Sequence, residues 1–472
     1  MENYQIYVGG HFVSSGTKLD VVNPYSNQTF AQTYLAGKDE LEIAIDSAQK
    51  VQQQMKFLPS YKKYEILMQI ANEIKQDRQR LAEILSMESG KPIKPALTEI
   101  DRAIQTFIVA AEESKRLPGE VISMDWTPAG TNKEGIVKYY PVGLVAGISP
   151  FNFPLNLAVH KIAPAIASGC PIILKPARST PLSTLELAKI VDSTELPKGA
   201  LSVLPMDRDA GNQLVTDERF NLLTFTGSPE VGWKMKRDAG KKRVVLELGG
   251  NAGVIVTQTA DLEMAVKKCL IGGFSYAGQV CIHVQRIFVH QSVFEKFTSK
   301  IVDAAKRLIN GDPLNAETDI SVMIDEENAL RVEAWINEAV ANGAKILCGG
   351  KRFGCFVEPT FITQTNNSMK VCSQEIFGPV VTIEKYNDFD EAIRLINDSA
   401  YGLQAGVFTN DLKEMNAAFS HLEVGGVMIN EVSAYRLDHM PYGGVKNSGF
   451  GREGIKYAIL DMMETKLLVK DM

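Results

Sequence analysis

Cysteine is scarce in this 472-residue chain and never closely paired. Cys170, Cys269, Cys281, Cys348, Cys355 and Cys372 include no Cys-x-x-Cys spacing. The pattern excludes the signatures of a zinc site and a disulfide framework and fits reduced thiols, with no metal ligated. A surplus of positive charge is also missing: 50 Lys and Arg stand against 56 Asp and Glu, for a net charge of −6, with the signs interspersed. Without a basic stripe, neither nucleic acid nor an anionic membrane is expected as a partner. Long apolar runs are absent as well. The most apolar region, 143–173, is broken by Pro150, Pro154, Pro164 and Pro171 and carries His160 and Lys161, which excludes a spanning helix there. The first residues lack a basic segment followed by an apolar one, so no secretory signal is read and a cytoplasmic protein is expected. No repeat of 20–50 residues interrupts the chain.

What is present is an ample apolar content, 45% of residues, enough for two or three domains with real cores. Residues 5–13 and 19–23 read as short strands, and 39–115 carry helical periodicity, with Leu41, Ile45 and Ala48 on one face. From Leu144 onward, short apolar runs bounded by Gly and Pro alternate with helical stretches. Strands are expected at 144–148, 171–175, 201–204 and 222–226, with helices at 155–167, 181–191 and 229–240. A second alternating block follows Gly250, with a strand at 253–256, a helix at 261–276, a strand at 286–289 and a helix at 293–309. The predicted class is α/β, two doubly wound Rossmann-like units joined near Glu247–Asn251.

Several short segments carry chemistry, each with a plainer alternative. Phe225-Thr226-Gly227-Ser228-Pro229-Glu230-Val231-Gly232 stands where a strand hands over to a helix. Its N–H groups suit a phosphate, with Ser228 as cap. A simple helix cap explains the same residues, and the full dinucleotide fingerprint is not matched. Lys175, ending Ile172-Ile173-Leu174-Lys175, puts an ammonium at the sheet's carboxyl edge, where α/β proteins bind ligands, or else a solvated charge. Asn152, held in Ser149-Pro150-Phe151-Asn152-Phe153-Pro154, suits an oxyanion donor or a loop amide bonding its own backbone. Cys281 in Gly278-Gln279-Val280-Cys281 and Glu247 in Leu246-Glu247-Leu248-Gly249-Gly250-Asn251 supply a thiol and an isolated carboxylate, the raw material of covalent catalysis with a general base. Taken singly, Cys281 reads as a buried structural thiol.

Together, and in this order, these segments resemble the NAD(P)-dependent aldehyde dehydrogenase superfamily over essentially the whole chain. Glu375-Ile376-Phe377-Gly378-Pro379-Val380 and Met440-Pro441-Tyr442-Gly443-Gly444-Val445-Lys446 complete the series. The chain looks closest to the lactaldehyde and small hydroxyaldehyde dehydrogenase branch. The resemblance implies that Cys281 attacks the aldehyde, Asn152 and the Cys281 N–H hold the oxyanion, and Glu247 activates water on the thioester. It assigns Lys175, Ser149, Gly227, Ser228, Gly232, Glu375 and Phe377 to the dinucleotide. It further implies a dinucleotide-binding domain (1–122 and 142–248), a catalytic domain (249–445) and a small β arm for oligomerisation (123–141 and 456–472), giving a homodimer or homotetramer. The terminal Lys466–Lys470 reads as a strand without an obvious local partner.

Three positions depart from the family's habit. Arg178 stands where NAD-preferring relatives often place a Glu on the ribose; a guanidinium there suits a 2′-phosphate, which leans the cofactor toward NADP over NAD. Leu204-Pro205-Met206-Asp207 replaces a glycine-rich turn, and Ser321-Val322 replaces Gly-Pro. By position around the motifs, the substrate pocket is expected to include Phe153, Leu157, His160, Val280, Ile282, Tyr435, Arg436 and His439, with Arg436 available to a carboxylate or sulfonate. The expected substrate is a short hydroxylated or anionic aldehyde such as lactaldehyde, glyceraldehyde or a semialdehyde. Two alternatives stay open: a CoA-acylating semialdehyde dehydrogenase, whose relatives lack a base at the Glu247 position, and a non-catalytic binding protein, which predicts loss of Cys281, Asn152 or Glu247.

Overall fold

The apolar runs between Leu144 and Glu247 build the first sheet of the computed structural model, which describes residues 2–472. Five parallel strands form its centre, in the spatial order Arg243–Glu247, Leu222–Thr226, Val145–Ile148, Ile172–Lys175 and Leu201–Val203. They are buried on both faces because helices cover the sheet on each side, which is why they read as continuous hydrophobic runs. An antiparallel hairpin, Ile6–Val8 with His11–Val13, closes one edge; Gly449–Phe450, from the far end of the chain, closes the other. The chain grows from Val145–Ile148 through Ile172–Lys175 and Leu201–Val203, then returns to place Leu222–Thr226 on the opposite side. This reversal opens a crevice at the carboxyl ends of Val145–Ile148 and Leu222–Thr226, the place where such sheets take ligands.

A second sheet of seven strands runs in the order Lys345–Cys348, Thr360–Thr363, Val380–Tyr386, Arg286–His290, Gly253–Val256, Gln404–Phe408 and Gly426–Ile429, all parallel except the first. Its core packs Val254, Val256, Ile287, Val289, Phe297 and Phe361. The α/β class expected from the sequence is the observed one. Four helices, Lys38–Lys56, Ser60–Gln76, Arg78–Ser89 and Ile93–Ser114, account for the early helical periodicity.

Two details differ from the sequence reading. The helix expected over 261–276 stops at Phe274, because Ser275 swings out to ψ 131° and Tyr276 and Ala277 then turn left-handed at φ 50° and 51°. The terminal strand does have a local partner: Met463–Asp471 lies antiparallel along Lys133–Pro141, from Met463 opposite Pro141 to Asp471 opposite Lys133. That partner sits in the first third of the chain, a separation that no local pattern reveals. With Gly119–Ser123 on the other side of Lys133–Pro141, a three-stranded sheet results. Leu467, Leu468 and Val469 on it are 45–52% exposed, and Trp126 in the adjoining loop is 88% exposed. No helix among the described residues is long and apolar enough to cross a membrane.

Candidate active site

The turn that carries Cys281 is strained, and Tyr276 and Gln279 anchor it. Two non-glycine residues in the left-handed region cost roughly 1–2 kcal/mol each, and the turn persists because its neighbours hold it. The Tyr276 hydroxyl donates to the Ser89 carbonyl at 2.8 Å, and the Ile324 N–H donates to the Gln279 amide oxygen at 2.9 Å. Gly278 follows at φ 68°, where a Cβ would lie 2.2 Å from the Gly378 carbonyl oxygen, so only glycine fits. Cys281 emerges half-buried, packed with Val280, Ile282, Leu403 and Tyr442. Burial pushes its thiol up to about 11, although the Tyr442 hydroxyl and the Arg436 charge act the other way.

Asn152 and Glu247 reach the same region from the first sheet. The Asn152 amide donates to the Gln279 carbonyl at 3.0 Å, which ties the loop after Val145–Ile148 to the Cys281 turn. An amide has a second N–H, and the Cys281 backbone N–H is engaged by no protein acceptor among the described residues. Two donors are thus left unengaged at the Cys281 turn. Glu247 ends its strand with both carboxyl oxygens buried and without a hydrogen-bond partner. Burial, then the nearby Glu453 charge, raises its pKa well above the ordinary 4.5, against the pull of Arg436, Lys161 and Arg452. Gly443 leaves room for this carboxyl, since a Cβ there would lie 2.9 Å from Oε1.

Several residues expected to meet a nucleotide lie at the carboxyl ends of the first sheet's strands. Ser149 follows Val145–Ile148 directly, and its buried Oγ has no partner. Gly227 packs its missing side chain against the Phe225 ring, and Gly232 against Leu248, so the helix Pro229–Asp238 approaches the sheet closely. Ser228 occupies the cap position of that helix but makes no side-chain cap bond, contrary to the capping expected from the sequence; its hydroxyl stays free. Lys175 is half-buried against Gly211, and burial, then the Arg178 charge, lowers its pKa. A cleft of about 1510 Å³ runs past Lys175, Arg178, Met206, Asp207 and Arg208 to a wall at Val322–Glu326 and Phe353–Phe356. Asp207, in the segment that replaces the glycine-rich turn, caps the helix Arg208–Thr216, and Arg208 brings a second guanidinium to the cleft that the sequence reading missed. Ser321 donates to the Gly311 carbonyl at 3.0 Å.

Glu375 packs against Gly249 and Gly250, just after the strand that ends in Glu247. The Gly250 N–H donates to it at 3.1 Å, burial raises it to about 7, and a Cβ on Gly249 would overlap it at 1.9 Å. That overlap is the physical reason for Gly249-Gly250. Phe377, at φ 43°, meets the Phe151 ring edge-on at 5.8 Å. The orphaned Ser149 hydroxyl, the glycine-lined approach and the Lys175 ammonium at the sheet's carboxyl edge fit an extended anionic dinucleotide.

Residues 12–468 match the aldehyde dehydrogenase family. The chain belongs to that family. A 3-sulfolactaldehyde dehydrogenase of Priestia aryabhattai is 45% identical over 470 residues, 99% of this chain and 98% of the relative. The crystal structure of aldehyde dehydrogenase 21 from Physcomitrella patens, in complex with the product succinate, superposes with a TM-score of 0.98 at 46% identity, covering 100% and 98%. Glyceraldehyde-3-phosphate dehydrogenase of Methanocaldococcus jannaschii, complexed with NADP, gives 0.92 at 40% identity, covering 96% and 99%. The expected family and its small-hydroxyaldehyde branch agree with these relatives.

Beside the Cys281 turn this aldehyde dehydrogenase buries a polar cluster that the sequence only partly announced. Arg436 donates to Glu453 at 2.9 Å and lies over the Tyr442 ring at 3.7 Å, and its Nε has no partner. Lys161 reaches Glu453 at 3.2 Å and Thr226 at 2.7 Å. Asp438 accepts from Arg102 at 2.7 Å and pairs with His160 at 2.8 Å, leaving His160 Nδ1 unpartnered. Burial, then the Arg436 charge, lowers the His160 pKa and keeps its imidazole neutral. Arg102 also approaches the Phe153 ring at 5.7 Å. His439 is exposed and stands outside the cluster, as does Tyr435, 41% exposed. Lys161, Arg102, Asp438, Tyr442 and Glu453 were missed as site residues. One signal was available: a His-Lys pair inside the otherwise apolar run 155–167 has to find buried partners.

Proposed function

We propose that this NAD(P)-dependent aldehyde dehydrogenase oxidises a short aldehyde carrying a hydroxyl and an anionic group to the carboxylic acid, through a thioester on Cys281. The supporting observation is the charge balance of the buried cluster. Until Glu247 ionises to act as base, Lys161, Arg102 and Arg436 set three cations against the two carboxylates of Glu453 and Asp438. One unneutralised positive charge in a low-dielectric site favours an anion. Sulfonate, as in the substrate named for the Priestia relative, and carboxylate, as in the succinate of the moss structure, both suit that charge.

In this reading the Cys281 thiolate adds to the carbonyl carbon, and the resulting oxyanion lies between the second Asn152 N–H and the Cys281 backbone N–H. Lys175, Ser149, Ser228 and Glu375 would hold the dinucleotide, which supplies the hydride acceptor when bound. Glu247 then takes a proton from water, and the hydroxide attacks the thioester, releasing the acid and the thiolate. Such a base argues for hydrolysis over transfer to CoA. The three-stranded sheet of Gly119–Ser123, Lys133–Pro141 and Met463–Asp471 is the proposed oligomerisation arm, its exposed Leu467, Leu468 and Val469 being surface for a second copy.

Initial rates with sulfolactaldehyde, succinic semialdehyde, lactaldehyde and hexanal test the substrate class, and a preference for hexanal would overturn it. Arg436→Gln is expected to lower kcat/KM for the anionic aldehydes about 10- to 100-fold, the worth of a charge-assisted hydrogen bond, with a smaller change for lactaldehyde. The lean toward NADP rests on Arg178, exposed at the cleft beside Lys175. Arg178→Glu should cut kcat/KM for NADP roughly 10- to 100-fold while largely sparing NAD. Equal losses with both cofactors would remove Arg178 from the 2′-phosphate.

A further inference from the structure

The motif Met440–Lys446 entered the sequence comparison without a role, yet it touches the sulfur. The Tyr442 hydroxyl lies 3.0 Å from Cys281 Sγ, and among the described residues it has no other hydrogen-bond partner. Tyr442 is 2% exposed, so water does not compete for that hydroxyl. Its position is fixed from three directions. The backbone of Tyr442 exchanges both hydrogen bonds with Glu453, at 3.0 and 2.6 Å. Glu453 in turn accepts from Arg436, and Arg436 lies flat over the Tyr442 ring. The next residue, Gly443, abuts Glu247.

From this geometry we infer that Tyr442 is a catalytic residue that donates its hydroxyl hydrogen bond to the Cys281 thiolate, holding the nucleophile charged and aimed until it attacks the aldehyde. A half-buried thiolate packed among apolar side chains is stabilised by such a donor. The other groups around the sulfur are mixed in sign: Arg436 favours the thiolate, and Glu375 and Glu247 oppose it. Around the tyrosine ring stand Arg436 and Glu453, with Lys161 and His160 behind them. None of these offers the sulfur a neutral O–H donor. The phenol keeps its proton throughout; once the sulfur forms its bond to carbon it is a weak acceptor, and the hydroxyl is released. The role rests on the reading of Cys281 as nucleophile.

The test is the pH dependence of iodoacetamide alkylation at Cys281, followed by mass spectrometry of the peptide that contains it, in the full-length enzyme. Tyr442→Phe keeps the ring under Arg436 and removes only the hydroxyl. The alkylation midpoint is expected to rise by about one unit, a tenfold loss of rate at neutral pH, with the limiting rate at high pH unchanged. Site-specific 3-fluorotyrosine at position 442, a more acidic phenol of nearly the same shape, is expected to move the midpoint down. It decides the matter alone if the Phe variant does not fold. An unmoved midpoint in either variant, including a change confined to the limiting rate, overturns the role of Tyr442. A Cys281→Ser enzyme that still turns over overturns the nucleophile itself, which is a separate result.

Discussion

Glu247→Gln is expected to trap the enzyme as its thioester. The side chain has no hydrogen-bond partner to lose, and the amide has nearly the same shape, so the fold and the Cys281 turn are undisturbed. Thiol addition and hydride departure do not use the carboxylate. A burst of reduced nicotinamide, one equivalent per active site, should therefore survive, followed by a steady rate lowered roughly 10²- to 10⁴-fold, the usual worth of a general base. Rapid mixing with absorbance detection measures the burst, and intact mass measures the acyl-enzyme. Loss of the burst together with the steady rate would place Glu247 before acylation instead of after it. The wild-type pH profile carries the same signature. Glu247 works only when ionised, and its raised pKa moves the rising limb of kcat above the ordinary value of 4.5; the Gln variant should lack that limb. Stability follows with a defined sign. Above pH 4.5 and up to the raised value, the folded protein holds a proton that the unfolded chain has given up, so stability falls as pH rises through that window. The gain in Tm of Glu247→Gln over wild type should grow across the window and then level off.

Cys281→Ala should remove turnover more completely, by roughly 10⁴- to 10⁶-fold, on the scale seen when other covalent nucleophiles are deleted. Unlike the Gln variant it should show no burst and no acyl adduct, while dinucleotide binding, read by fluorescence titration, is retained. That contrast matters because five other free cysteines are present. Burial, then the Glu431 charge, raises the Cys269 thiol above its ordinary range, which disfavours the reactive thiolate. Persistence of a burst in Cys281→Ala would mean that another thiol, or none, carries the acyl group.

The sequence exposed those two groups because each sits in a motif whose other residues exist to make room. Gly249 clears Glu375, and Gly278 clears the Gly378 carbonyl. The alternation of short apolar runs with helical periods was likewise enough to find four of the five parallel strands of the first sheet and two of the seven strands of the second. What stayed hidden has a common cause, namely pairing across long separations. Asp438 meets Arg102 and His160, Glu453 meets Lys161, and Met463–Asp471 meets Lys133–Pro141, each across a span where local periodicity carries no information. The end of the helix at Phe274 was invisible for another reason. Tyr276 and Ala277 are ordinary helix residues, and only tertiary anchors force them left-handed.

The edge of the first sheet bears on how the enzyme comes into being. The strand that ends in Glu247 has Leu222–Thr226 on one side, but its other side is completed by Gly449–Phe450, with Leu246 opposite Phe450 and Glu247 opposite Gly449. During synthesis this strand remains an open edge, able to pair with another nascent chain, until Gly449 and Phe450 have also left the ribosome. The same segment carries Tyr442 to the sulfur, so the open edge of the sheet and the surroundings of Cys281 are completed by residues made together.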